Sequence, residues 1–408
     1  MSLPADTATW WHVYPLGALG APIHDRPTDG DHAHRLRRLD PWLDYVAELG
    51  CTGLLLGPIF ASTSHGYDTV DHHRIDPRLG DDADFDRLVA RARERGLSVL
   101  LDGVFNHVGR RHGLVDKTLE AGAGPVRLDE TGHGPAPHPW EGHDDLAELD
   151  HDDPAVGELV ESVMLHWLRR GIAGWRLDAA YCVPPRFWRE VIGRTRTEFP
   201  EALFVAEMIH GDYADFAQAS GIDAVTQYEL WKAIWSSVLD TNLWELAWAL
   251  ERHERFNARA LTQTFVGNHD VTRIASRVGD AGAVLALVVL MSVPGMPSIY
   301  YGDEQAFRGV KGSGPRGDDP LRPELPDSPA QLAPHGWWLH DLHRELIGLR
   351  HRNPWLTGGH VAVVAKDCTW IDYETTAPGH RLQVHIELEP GPAARIVIDG
   401  APAFDWHG

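Results

Sequence analysis

Gly171-Ile172-Ala173-Gly174-Trp175-Arg176-Leu177-Asp178-Ala179-Ala180 is the stretch whose reading decides the fold. Ile172, Ala173, Trp175 and Leu177 form an apolar run framed by glycines, with a helical pattern on either side, which predicts a short buried strand. Positions i and i+2 of a strand share a face, so Arg176 and Asp178 project together. A guanidinium beside a carboxylate favours the ionised form that a nucleophile needs. Taken alone, an Arg-x-Asp reads more readily as a structural ion pair at a strand end. Its neighbours along the chain decide between the two.

Upstream, Trp10-Trp-His-Val-Tyr14 predicts a first strand, Gly53 to Phe60 a doubly buried second one, and Leu97 to Asp102 a third. Helical periods lie between them, at Leu36 to Leu49 closed by Gly50 and at Asp84 to Arg95 closed by Gly96. Downstream, strands are expected at Ala202 to Glu207, Ile222 to Thr226, Leu261 to Val266 and Pro297 to Tyr301. The helix at Asp280 to Met291 and a last one at about Gly336 to His351 alternate with them. Near-continuous apolar strands alternating with amphipathic helices describe a parallel sheet covered by helices. Eight such units predict an α/β fold, a (β/α)₈ TIM barrel over residues 1–351. The long connection 108–152, rich in Gly, Pro and His, is a short inserted subdomain after the third strand, and 302–335 is a second long loop on the same rim. From 352 to 408 the pattern changes to alternating strands separated by Gly/Pro turns, a small C-terminal antiparallel β domain.

Composition narrows the function. With 59 acidic against 37 basic residues the net charge is −22, which argues against nucleic acid and anionic membrane surfaces as partners. The longest apolar run, Ala281 to Met291, reads as a buried helix, so no membrane span is expected. The N-terminal residues lack a basic region and an apolar core, so a cytoplasmic location is expected. Cys51, Cys182 and Cys368 are odd in number and widely spaced, and read as small core residues.

Polar groups close the apolar strands: Asp102 with Asn106 and His107, Arg176 with Asp178, Glu207, and Asn268-His269-Asp270. Asp178, Glu207 and Asp270 are separated by 29 and 63 residues, one and two βα units, so all three converge on the C-terminal mouth of the barrel. Two carboxylates there can divide glycoside cleavage, one attacking the anomeric carbon and one protonating the leaving oxygen. A metal cage of carboxylates and histidines is the competing reading of the same residues.

Asp102-Gly-Val-Phe-Asn-His107, Gly174-Trp-Arg-Leu-Asp-Ala-Ala180, Phe204-Val-Ala-Glu207 and Phe265-Val-Gly-Asn-His-Asp270 stand in the order of the four segments of the α-amylase superfamily of retaining glycoside hydrolases, which the chain resembles from about Trp10 to Arg350. Gly66-Tyr-Asp-Thr-Val-Asp71 and Leu146-Ala-Glu-Leu-Asp150 add to the resemblance. It implies Asp178 as nucleophile, Glu207 as general acid/base and Asp270 as the grip on the sugar hydroxyls, with Arg176 orienting Asp178. It further implies sugar contacts from Tyr67, Asp68, Asp102, His107 and His269, and a clamp on the next sugar from Asp318 or Asp319 with Arg322. No cofactor is required; a structural calcium, as in some members, would rest on Asn106 and Asp150. Trp140, in the short insertion, offers a stacking platform.

The implied activity is hydrolysis of α-glucosidic, by resemblance α-1,4, bonds in short or cyclic α-glucans. A transglycosylase or glucoside isomerase would use the same triad, and a non-catalytic carbohydrate-binding or scaffold relative would lose it. A homodimer that completes the cleft is the alternative to a cleft built from one chain.

Overall fold

The computed structural model describes residues 8–24, 33–314 and 316–408. The N-terminal residues on which the cytoplasmic expectation rests, residues 25–32 and Pro315 lie outside them. Eight parallel strands close a barrel: β1 (Trp10–Val13), β2 (Gly53–Leu56), β3 (Ser98–Val104), β4 (Gly174–Asp178), β5 (Leu203–Ala206), β6 (Ala224–Thr226), β7 (Leu261–Phe265) and β8 (Met296–Tyr300). Each pairs with its sequence neighbours and β8 returns to β1, so the hydrogen-bonded ring has no edge. Around it run α1 (Asp40–Leu49), α2 (Asp82–Glu94), α3 (Pro154–Arg169), α4 (Pro185–Glu198), α5 (Tyr213–Ser220), α6 (Tyr228–Leu239), α7 (Trp244–Asn257), α8 (Ile274–Ser292) and α9 (Trp337–Arg352).

Local chemistry sets the boundaries of these elements. Asp81 caps α2 in a reciprocal capping box with Asp84, Asp153 caps α3 ahead of Pro154, and α1 stops at Gly50, whose φ of 98° is open to glycine. In β4, Gly174 lies so close to β5 that a Cβ there would sit 1.9 Å from the Leu203 carbonyl oxygen. The second strand is shorter than expected: Gly57-Pro58 breaks it after Leu56, and Phe60–Ser62 pairs instead with Thr69–Ile75 in an outer ribbon.

The floor of the barrel is sealed by Trp10, Leu55, Leu100, Val205, Ala224 and Met296. Gly53 makes room for the Trp10 ring, which a Cβ would meet at 2.3 Å. Outside the ring of strands, Trp11 stacks on Trp42 of α1 at 6.1 Å, one link in a continuous layer between strands and helices. By length and hydropathy α8 would suffice to cross a membrane, but 67% of the relevant window is buried here, where α8 packs against α6 and α9. Its backbone breaks at Gly279 (φ 74°, ψ 179°), just ahead of the helix start expected from sequence.

The insertion after β3 is more structured than its composition suggests. It holds a helix, Gly113–Ala121, and strands at Leu128–Thr131, Gly134–Pro137, Pro139–Trp140 and His143–Glu148. The C-terminal sheet has five antiparallel strands, β9 (His360–Lys366), β10 (Trp370–Ala377), β11 (His380–Glu387), β12 (Ala393–Ile398) and β13 (Ala401–His407), in chain order. It is tied to the barrel at the end of α8, where Tyr373 bonds the Ser292 hydroxyl at 2.6 Å and Thr375 donates to the Ser292 carbonyl at 2.8 Å. The cysteine reading needs correcting: Cys51 is buried, whereas Cys182 and Cys368 are exposed.

Candidate active site

β3 and β4 run in a register that pairs Arg176 with Asp102. Arg176 Nη1 therefore reaches both oxygens of Asp102, at 2.8 and 2.9 Å, and also Asp178 Oδ1, at 2.7 Å. Its Nη2 takes Glu207 Oε1, from the end of β5, at 2.7 Å. One buried guanidinium thus gathers three carboxylates from three neighbouring strands. Glu207 receives two more donors: the Tyr228 hydroxyl on Oε1 at 3.1 Å and the Ala179 backbone N–H on Oε2 at 2.9 Å. Ala179 directs that N–H from a left-handed conformation, φ 44°, which costs an L-residue about 1–2 kcal/mol.

Asp270 lies across the mouth. Arg322 Nη2 binds its Oδ1 at 3.1 Å and also Asp318 Oδ2 at 3.2 Å, while Arg322 Nε donates to the His269 carbonyl. His269 Nε2 sits 3.0 Å from Asp270 Oδ2 and against the Tyr67 hydroxyl. The rings of Tyr67, His269 and Tyr14 form a stack, with 5.3 Å and 5.9 Å between centroids, and the Arg322 guanidinium lies 4.4 Å over Tyr14. The loop acid beside Arg322 is Asp318; Asp319 pairs instead with His24.

Burial, resisted by Arg176, pushes Asp178 up to about 7 and Asp102 up to about 6, and burial moves Glu207 up as well. Three carboxylates on one cation cannot all be charged at little cost, which favours a proton held among them. Asp270 goes the other way. Burial would raise it, but His269, Arg322 and Arg176 together hold it far below the usual carboxylate range. His107 and His12 are held neutral by burial, and the Nε2 of each is buried with no protein partner.

Three residues expected to touch a sugar also meet protein partners. Asp102 is 1% exposed, and its oxygens are taken by Arg176 and the Tyr67 hydroxyl, so it positions both. Asp68 accepts from Ser64 Oγ and the Gly66 N–H, and shapes the loop that presents Tyr67. Trp140 lays one ring face on His107, 4.3 Å away, instead of leaving both faces to the cleft.

The family model for the alpha amylase catalytic domain matches residues 26–128 and 140–325. The chain belongs to the α-amylase family. Among curated members it is 32% identical to neopullulanase 2 of Thermoactinomyces vulgaris over 366 residues, 83% of this chain and 59% of that one. It is 31% identical to a cyclomaltodextrinase of Geobacillus thermopakistaniensis over 344 residues, 80% and 57% of the two chains. The chain therefore spans less than two thirds of the length of these relatives. By contrast, the cyclic α-maltosyl-(1→6)-maltose hydrolase of Arthrobacter globiformis, solved with cyclic α-maltosyl-(1→6)-maltose, superposes with a TM-score of 0.82 at 25% identity and covers all of both chains.

Calcium, which some members of this α-amylase family carry, finds a poor donor set here. Asn106 Oδ1 is buried without a partner, which suits a ligand, but Asp150 Oδ1 accepts from the Asp152 N–H. The backbone oxygens of Asn106 and Phe105 are already taken, by the Leu149 N–H and by His151. Calcium asks for six to eight oxygens. One free amide oxygen and a partly engaged carboxylate fall well short, and no step below runs through a metal.

Sequence reasoning overlooked Tyr228 and Tyr14. Both stand one or two residues past a strand end, at β6 and β1, so the rule that singled out Asp178 and Glu207 would have found them had it been applied to tyrosines.

Proposed function

We propose that this chain is a retaining glycoside hydrolase that cleaves α-1,4 bonds of short or cyclic α-glucans through a covalent glycosyl-enzyme. The observation that carries this reading is that Asp178 and Glu207 share the fork of Arg176, one on each Nη nitrogen. That arrangement favours the roughly 5–5.5 Å separation of retaining sites over the 6.5–9.5 Å that leaves room for an attacking water. The relatives' names support the substrate class, and the neutral, polyhydroxylated character of a glucan suits a mouth lined by paired charges.

In the first step Asp178 attacks the anomeric carbon, the bond to the leaving oxygen breaks, and Glu207 gives that oxygen its proton. Substrate decides where the shared proton resides: the glycosidic oxygen needs it from Glu207, while positive charge growing at the anomeric carbon favours ionised Asp178. In the second step Glu207 takes a proton from water, which attacks the glycosyl-Asp178 ester and frees the carboxylate. Asp270, held ionised, grips the sugar hydroxyls. We place the reaction in the cytoplasm, with support from three unpaired cysteines and from an intracellular maltogenic amylase of Bacillus subtilis among the relatives. Proton NMR of freshly cleaved maltotriose tests the reading. The α-anomer appears first if it holds, and β-anomer appearing first overturns it.

A further inference from the structure

On the flank of the barrel where α7 packs against β9, two indoles stand in solvent. Trp244 and Trp248, one helical turn apart on α7, are 52% and 53% exposed. Each has a cation fixed on its ring: Lys366 of β9 lies 5.2 Å over Trp244, and Arg252 lies 5.0 Å over Trp248. The cations are themselves anchored, Lys366 by Glu251 at 3.7 Å and Arg252 by Glu229 at 2.7 Å. The rings are thus held in place, and little side-chain freedom remains to be lost on binding.

We propose that Trp244 and Trp248 form a second, non-catalytic binding platform for neutral α-glucan chains. Area argues against a protein partner. Half of the ~250 Å² an indole can bury, taken twice, is about 250 Å². Even with exposed Leu239 and Val364 counted in, the apolar area is on the order of 400 Å², against ~800 Å² that each side gives to a stable protein interface. Charge argues the same way. Lys232 pairs with Glu245, Lys366 with Glu251 and Arg252 with Glu229, so the cations lying over the two rings are already neutralised. The net charge of −22 also sets a second copy of the chain against the first. A pyranose suits what remains: its C–H faces lie on indole, and its hydroxyls reach the carboxylates of the rim.

The choice of glucan rests on the proposed function, and the platform would tether long chains that the short cleft grips weakly. Migration of the full chain through native gels containing amylopectin is the test, beside kcat/KM on maltotriose for the same preparations. Wild type is expected to be retarded. The Trp244→Ala/Trp248→Ala double variant should lose retardation, with apparent affinity down at least about tenfold, while kcat/KM on maltotriose stays within twofold of wild type. Trp248→Tyr, which keeps a ring, should restore part of the retardation. Wild type that migrates freely, or a double variant retarded as much as wild type, overturns the proposal. So does light scattering that finds a wild-type dimer which the double variant dissolves. Retardation that depends on the two tryptophans, in a protein inert toward every maltooligosaccharide, would sustain the platform and refute the proposed reaction.

Discussion

Asp178 shares Arg176 with Asp102 and Glu207, and that crowding gives its removal two opposite effects. Asp178→Asn deletes the nucleophile, so turnover on maltotriose should fall by at least about a thousandfold. It also removes one of three like charges around one cation, so the same variant should melt a few degrees higher than wild type in calorimetry. An Asp178→Asn variant keeping more than about a tenth of the wild-type rate would remove Asp178 from its role. Tyr228 acts on Glu207. Its hydroxyl donates to Oε1, which favours the ionised carboxylate, so Tyr228→Phe should raise the Glu207 pKa. The alkaline limb of the kcat/KM profile should then move up by as much as about one pH unit, the equivalent of a hydrogen bond to a charged group. A limb that stays put, with only the maximum rate lowered, would make Tyr228 a packing residue. Asp178, Glu207 and Asp270 were legible because polar residues ending apolar strands are conspicuous. The inward turn of Asp102 and Asp68 was not, since which partner a carboxylate takes is settled by Tyr67 and Ser64, brought near only by the fold.

Among the elements, the turn that follows β8 carries a chemical burden of its own. Glu304 is buried there, accepting from the Tyr45 hydroxyl at 3.0 Å and the Gly302 N–H at 2.9 Å, and burial pushes it up to about 7. In the unfolded chain it titrates near 4.5, so between about 4.5 and 7 the folded form holds the extra proton. The stability that this proton represents is complete below 4.5 and drains away as pH rises to 7. Glu304→Gln should flatten that slope in urea melts taken from pH 5 to 8, and an unchanged slope would show that another group carries it. The barrel strands were legible because each is a run of apolar residues between breakers. β13 was not, since Pro402 and Asp405 interrupt its alternation and only pairing with β12 makes it a strand. The insertion hid for a related reason: its strands are short, largely exposed and rich in Gly and Pro, so neither periodicity nor hydrophobicity marks them.

At the scale of the molecule, the insertion 108–152 is the wall beside the cleft, and Trp140 already leans on His107. Little of that wall is left to hold distant sugars, so remote units should add little to transition-state binding. On a maltooligosaccharide series kcat/KM should therefore level off after a few glucose units. A steady rise through six or seven would mean a longer cleft, one completed across a homodimer included.

The seal of Trp10 and its neighbours across the barrel floor governs traffic as well as packing. With the barrel interior filled there by these side chains among the described residues, the departing sugar and the incoming water use one doorway, in that order, and the glycosyl-Asp178 ester waits in between. Whatever is most abundant at the doorway enters next. At high maltose concentration that visitor should be a sugar hydroxyl, and chains longer than the starting substrate should build up, visible by mass spectrometry, with the same residues serving synthesis that in dilute solution serve degradation.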